Sequence, residues 1–434
     1  MYKKFLIIIV ILLAIVLLLF GFIKIKISMP GIFPPKDNIT RLLNNTSQLN
    51  DKLTDYNEQI KDQIDQDELN TQAIKLEYYQ QGPLTLPRGF SISVFAENLG
   101  KPRVIINAPN GGFLLSIPDQ GKVVKIADKD GDGKAEEIKT IVDKLNRPHG
   151  LLLKCYDENQ CQLYVAETSQ VSLFDYDLVN DQALNKKKII DLPDGGGHWT
   201  RTIIETPWDE REKTQLLISV GSTCNVCNET DWRRAKVLIA DLDGNNLREY
   251  ATGLRNAPFM AIHPVTGNIW VTEMGRDWLG DDLPPDEINI LAEGQDYGWP
   301  ICYGQNIHDT DFDKNQYIQD PCTGKIPAHI DIPAHSAPLG LAFIPEEGWP
   351  EDMWYDLLVA YHGSWNRSTP TGYKIVRYRL DAQGNYQSEE DFISGWLNDG
   401  SLLGRPVDIL IQPGGVIYIT DDKAGVVYRV TYQP

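Results

Sequence analysis

A pattern recurs six times between residue 84 and the C-terminus, and no other feature restricts the fold as much. Each unit opens on a turn carrying Pro, His, Arg or Asn, followed by one hydrophobic strand, a second, and often a third. The openings are KPRVIINAPNGGFLLSIP near 101, RPHGLLL near 147, HWTRTIIE near 198, RNAPFMAIHPVTGNIWVTEMG near 255, HSAPLGLAFIP near 335 and GRPVDILIQPGGVIYITDD near 404. Turns such as Asn110-Gly111-Gly112, Asp243-Gly244 and Gly414-Gly415 separate strands rich in Val, Ile, Leu and Tyr. One unit cannot bury both faces of its sheet. Radial packing of six four-stranded sheets does so and hides their edges. The sequence therefore predicts an all-β fold, a six-bladed β-propeller over 84–434, with the strand at Phe90–Phe95 closing the ring against Val416–Thr420 and Val426–Thr431.

Upstream the texture differs. Residues 5 to 23, FLIIIVILLAIVLLLFGFI, carry no charge, and at about 1.5 Å per residue they nearly span a bilayer core. The run is longer than the apolar part of a cleaved signal and lacks an A-x-A site. Residues 1–23 are thus expected to form an uncleaved transmembrane helix. That would make the protein membrane-anchored, with its propeller periplasmic or extracellular. Residues 24–83 read as a polar tether, with Leu49, Leu53, Tyr56 and Ile60 at helical spacing. The six cysteines fit export: they fall into near pairs, and disulfides 155–161, 224–227 and 302–322 are expected. A redox or zinc role for Cys224-Asn-Val-Cys227 is the alternative.

In a propeller the loops leading into the innermost strands ring one mouth of the central channel. The unit openings put Arg147, His149, His198, Arg201, Arg255, Asn256, His335 and Arg405 there. The chain's net charge is -19. That field disfavours nucleic acid, so a ring of Arg and His marks a local cationic funnel for a small anion, with His available for proton transfer.

The order of GGGHWTRTIIE (195–205), GLRNAPFMAIHPVTGNIWVTEMGRD (253–277), DEINIL (286–291), DYGWP (296–300), HSAPLGLAF (335–343), AYHGSWNR (360–367), GRPVDI (404–409) and YITDDKAGVVYRV (418–430) resembles the glucose/sorbosone dehydrogenases, soluble pyrroloquinoline quinone (PQQ) enzymes on six-bladed propellers. The sorbosone-like branch is nearer. The resemblance implies PQQ- and calcium-dependent oxidation of an aldose or a sorbosone-like aldehyde hydrate, with electrons passing to a quinone or cytochrome partner. By the same resemblance His198 is the general base, Arg255 and Asn256 contact the quinone, and the Gly275 and Arg276 carbonyls hold calcium. Arg405 pairs with a PQQ carboxylate.

Two positions depart from the glucose-oxidising branch. Its PQQ-binding Lys is absent, with Arg367 the nearest cation. Its Asp that orients the base is Ser222 here, so orientation of His198 is expected to come from elsewhere. A non-enzymatic propeller ectodomain for binding or adhesion is the alternative that these departures favour. A calcium lactonase ranks below both, because the unit openings offer Arg and His rather than carboxylates. DKDGDGKAEEI (128–138) starts like an EF-hand loop with Asp128, Asp130, Asp132 and Gly133, but Lys139 stands at the twelfth position. An acidic hairpin tip and a second, structural calcium site both stay open.

Overall fold

A computed structural model describes residues 76–207, 213–314 and 320–433. The expected membrane helix and all but the end of the tether lie outside the described residues, among which no helix is long and apolar enough to cross a membrane.

Six four-stranded antiparallel sheets account for the repeat. Blade 1 runs Ile105–Asn107, Phe113–Ile117, Lys122–Ala127, Glu137–Val142, and blade 2 runs Gly150–Cys155, Cys161–Glu167, Gln170–Asp177, Gln182–Asp191. Blade 3 is Ile203–Glu205, Gln215–Val220, Lys236–Asp241, Arg248–Thr252. Blade 4 is Phe259–Ile262, Ile269–Glu273, Asp286–Leu291, Ile330–Ile332. Blade 5 is Pro338–Phe343, Leu357–Tyr361, Lys374–Leu380, Tyr386–Ile393. Blade 6 takes Pro406–Gln412, Val416–Asp421 and Val426–Tyr432 from the C-terminus and Phe90–Ala96 from the other end, which pairs with Val426–Tyr432. The expected closure is therefore present. The first strands of successive blades adjoin one another around the ring, and that of blade 6 returns to that of blade 1.

Those innermost strands approach so closely that a Cβ on Gly150 would lie 2.7 Å from Arg201 O, and one on Gly340 2.6 Å from Asp408 Cα. Buried carboxylates staple the seams. Asp408 Oδ2 accepts Ile105 N–H of the next blade at 3.0 Å, and Asp286 Oδ2 accepts Ala337 N–H at 2.8 Å. Apolar side chains fill the spaces between blades: Phe90, Trp349, Phe392 and Trp396 pack around blades 5 and 6.

The propeller starts before residue 84. Tyr78–Gln81 and Leu84–Pro87 form a hairpin whose Thr85 bridges Ser394, and Leu84 and Leu86 are buried. The last residues assigned to the tether thus belong to this unit. All three expected disulfides are present, 155–161, 224–227 and 302–322.

Candidate functional site

Antiparallel pairing places the loop before the first strand of a blade beside the loop after its second strand: Pro338 pairs Tyr361, and Pro406 pairs Asp421. One mouth therefore gathers both sets of loops. Two adjoining cavities of about 400 Å³ each open there and share Gly197, His198 and Met274.

His198 stands between them. Its Nδ1 lies 3.0 Å from Ser222 O and 2.9 Å from Ser222 Oγ. Ser222 Oγ gives its own proton to Cys224 O at 2.6 Å, so both groups facing Nδ1 accept. Nδ1 therefore carries the hydrogen and Nε2 keeps a lone pair. Burial, then the Arg255 guanidinium, with Arg201 and Arg234 adding to it, push the imidazole down to about 3. The ring is neutral and oriented as a proton acceptor. The expectation that its orientation comes from elsewhere is corrected, since Ser222 supplies it through its hydroxyl and its carbonyl.

The first cavity is lined by Lys101, Arg103, Arg147, Trp199, Asn256 and His362, among others. Arg147 lies over the Trp199 ring, 4.1 Å from its centroid. Neither Lys101 nor Arg147 makes a side-chain hydrogen bond in the contacts seen among the described residues. A chain of contacts crosses three blades behind them: His362 Nε2 to Asp422 Oδ1 at 2.9 Å, and Arg103 Nη1 to Asp422 Oδ2 at 2.9 Å. Burial acts to raise Asp422, but the His362 hydrogen bond and the charges of His362 and Arg103 hold it well below the usual carboxylate range. Burial pushes His362 down to about 4. Arg405 reaches the same corner, donating to His362 O at 2.9 Å and Gly363 O at 2.5 Å.

The second cavity is bounded by Asn225, Arg255, Gly275, Asp277, His335 and Trp365, among others. Here Arg255 departs from the role the resemblance gave it. Nε donates to Asn225 O, Nη1 to Met274 O and Gly275 O, and Nη2 to Asn225 Oδ1 and Asp277 Oδ2, at 2.8–3.2 Å. All five N–H groups are used within the protein. The same contact bears on calcium. A guanidinium nitrogen lies 2.9 Å from Gly275 O, so a divalent ion there would share that oxygen with a fixed cation. The Arg276 side chain turns to Asp309 at 3.0 Å and Asp311 at 3.3 Å. Cys224, Cys227 and Glu229 group nearby, but the disulfide occupies both sulfurs. Calcium does not fit the Gly275–Arg276 pair in this arrangement.

Other expectations are also corrected. Arg367 faces neither cavity: it donates to Asp281 O at 2.7 Å and pairs with Asp282 at 2.8 Å. Arg201 is fully buried, holding His198 O, Thr200 O and Pro193 O. His149 is buried in the seam between blades 2 and 3 beside Arg201 O. Both support the mouth without lining it. Asp128, Asp130 and Asp132 sit between the last two strands of blade 1, at the opposite end of the propeller. Their carboxylates cluster with that of Glu136, a member that the sequence analysis missed, and Asp128 caps Gly131 N and Gly133 N at 2.7 and 2.9 Å.

Ser222, Asp277, Asn225 and the Arg103–Asp422–His362 chain were also missed as site residues. His362 and Asp422 do fall within the quoted runs AYHGSWNR and YITDDKAGVVYRV, and Arg103 lies in the first unit opening.

Comparisons with known proteins agree with this architecture. The chain is 30% identical over 361 residues to an uncharacterized protein of Borreliella burgdorferi, covering 81% of this chain and 91% of the relative. It is 23% identical over 412 residues to a PQQ-dependent pyranose dehydrogenase of Coprinopsis cinerea, covering 80% of this chain. It spans about half of that enzyme, 54% of its length. A solved structure of Trichoderma reesei carbohydrate-active enzyme family AA12 superposes with a TM-score of 0.70 at 19% identity, covering 84% of this chain and 100% of that one, which shows the fold. The family resemblance read from the motifs stands. Residues 84–433 match the TrAA12-like family model, and the chain belongs to that family.

Proposed function

We propose that this protein is a PQQ-dependent oxidoreductase that removes a hydride from a CH–OH carbon of a sugar. The observation that carries this reading is His198: a neutral imidazole whose unprotonated Nε2 stands where two cavities meet, one of them lined by Lys101, Arg103 and Arg147 in a protein of charge -19. The names of the relatives agree with it. A planar tricarboxylate suits this donor set. Lys101 and Arg147 bring side-chain N–H groups that have no hydrogen-bond partner among the described residues, and Arg103 adds charge held in place by Asp422. Arg405, further back, has Nη1 left over after its bonds to His362 O and Gly363 O. When bound, PQQ would supply the hydride acceptor.

His198 would take the substrate hydroxyl proton at Nε2. Ser222 holds the ring in the required tautomer and stabilises the imidazolium through Nδ1–H. Arg255 shapes the second cavity by tying the Asn225 loop to the 274–277 loop. Asn256 lines the first. Electrons would leave to a quinone or cytochrome acceptor. The N-terminal apolar run would hold the enzyme at a membrane with the propeller outside the cytoplasm, where its disulfides persist.

Titration of the purified protein with PQQ, with and without calcium, followed by optical spectra and sugar-dependent dye reduction, tests the proposal. Saturable binding with reduction by a pyranose is the expected result. Folded protein that binds no PQQ under either condition would end this reading and leave a binding ectodomain.

A further inference from the structure

Two tryptophans stand at the rim of the second cavity. Trp365 lines it together with His198. Trp278 packs against Trp365 edge to face, with ring centroids 5.2 Å apart and planes at 85°. Trp278 is 67% and Trp365 65% exposed. A single exposed apolar residue needs no explanation, but a fixed pair beside a cavity does.

The pair is built from two blades. Residues 274–285 follow the second strand of blade 4, and residues 362–373 follow that of blade 5. The loops are joined immediately beside the indoles. Asn366 Nδ2 donates to Asp277 Oδ1 at 3.0 Å, Arg367 Nη1 to Asp281 O at 2.7 Å, and Ser368 N to Asp281 Oδ1 at 3.1 Å. Trp278 also has φ 72°, in the left-handed region that bulky side chains avoid. Neither burial of apolar surface nor backbone preference accounts for that placement. Strain held by surrounding contacts, at the edge of a cavity, is the pattern of a ligand platform.

An indole face is flat, apolar and electron-rich, and one face of a pyranose ring is a patch of C–H groups of similar width. Asn225 and Asn366 line the nearby cavity wall, each with one amide N–H given to Asp277, and the second N–H of each is unengaged among the described residues and can meet a ligand hydroxyl. Beside them Asp282 is paired with Arg367, and Asp281 leaves one negative charge in excess, which disfavours uronates.

We propose that Trp278 and Trp365 form a saccharide subsite for the ring next to the one that reaches His198. The substrate is then a neutral oligosaccharide or glycan end of two or more rings rather than a free monosaccharide. This inference rests on the sugar-oxidation reading above.

The test measures binding without the cofactor. Tryptophan fluorescence and calorimetry would be run on the full chain with glucose, cellotriose, maltotriose, mannotriose and trigalacturonate, for wild type and for Trp278→Ala, Trp365→Ala and Trp365→Phe. A neutral trisaccharide should quench fluorescence and bind more tightly than glucose, and trigalacturonate should not. Each Ala variant should lose roughly three- to tenfold in affinity, with Phe recovering part of it. In PQQ-loaded protein, KM for the trisaccharide should rise in each Ala variant while its kcat holds, and monosaccharide kinetics of Trp278→Ala, whose side chain is outside the cavity lining, should stay within about twofold. Equal affinity for glucose and all the neutral trisaccharides, or unchanged binding in both Ala variants, would overturn the subsite. Trisaccharide binding lost in the Ala variants, in a protein that never oxidises sugar, would support the subsite and reject the oxidation reading. Oxidation of glucose and trisaccharides with equal KM would do the reverse.

Discussion

His198 Nδ1 lies 2.9 Å from Ser222 Oγ, and the Ser222 hydroxyl proton is directed away, to Cys224 O at 2.6 Å. A neutral hydroxyl and a carbonyl thereby orient the ring without a carboxylate. Replacing His198 with Ala should lower turnover by roughly 10²-fold or more while PQQ affinity changes little, because the loss is in proton transfer. Ser222→Ala keeps the carbonyl contact at Nδ1 and should cost less, about tenfold in kcat with KM unchanged. Steady-state kinetics beside PQQ titrations check both. A His198→Ala enzyme with wild-type turnover would remove this residue from the chemistry.

The pH profile should carry the same signature. Burial and the Arg255 charge push His198 down to about 3, so its base form persists as pH falls. The acid limb of kcat/KM should accordingly lie well below the ordinary histidine value of 6.5, and activity should hold between about pH 8 and 5. A limb at 6.5 or above, absent in His198→Ala, would show that the ring is not held as described.

Asp408 predicts the opposite slope for stability. Burial pushes it up to about 7, although it accepts N–H groups from Ile105 and Ile409. A carboxyl raised in the folded state binds its proton more tightly there than in the unfolded chain. Its stabilising share is complete below the unfolded value near pH 4 and is lost as pH rises through about 7. Asp408→Asn should lower stability by about 1–3 kcal/mol at pH 5, through a weakened blade 6–blade 1 staple. It should also flatten the decline between about pH 4 and 7. Urea unfolding at a series of pH values would show it, and an unchanged slope would exclude Asp408 as its source.

Much of this was legible in the residues because it is periodic or local. Repetition of the unit openings gives six blades, since each opening needs its own inner strand. The cysteines pair with near neighbours in sequence, as short loops allow. A repeat position also fixes which end of the propeller a residue reaches, so His198, Arg255, His335 and Arg147 do gather at one mouth. It does not fix which way the side chain points. Arg201 folds back onto the carbonyls of Pro193, His198 and Thr200 in its own loop, while His149 turns into a seam and Arg367 follows the 281–282 loop, toward partners that a neighbouring blade supplies. The five acceptors around Arg255 come from two loops, one at Asn225 and one at 274–277, that no sequence spacing relates.

Arg255 carries the last prediction. Its guanidinium is 4% exposed for the residue as a whole, paired with Asp277 at 3.0 Å, and holds four further acceptors on the 225 and 274–275 loops. Removing it strands the Asp277 carboxylate, three carbonyls and an amide oxygen in a partly buried space. Arg255→Ala should thus destabilise the propeller by about 3–5 kcal/mol, as for loss of one partner of a buried ion pair. Arg255→Lys should recover only part of that, because an ammonium has three donors and no planar fork. Thermal unfolding of the cofactor-free protein is the measurement. A purely catalytic arginine, with N–H groups reserved for ligand, would leave the unfolding temperature of both variants near wild type and lower only turnover. That outcome would show that the five internal bonds are exchanged in the working enzyme.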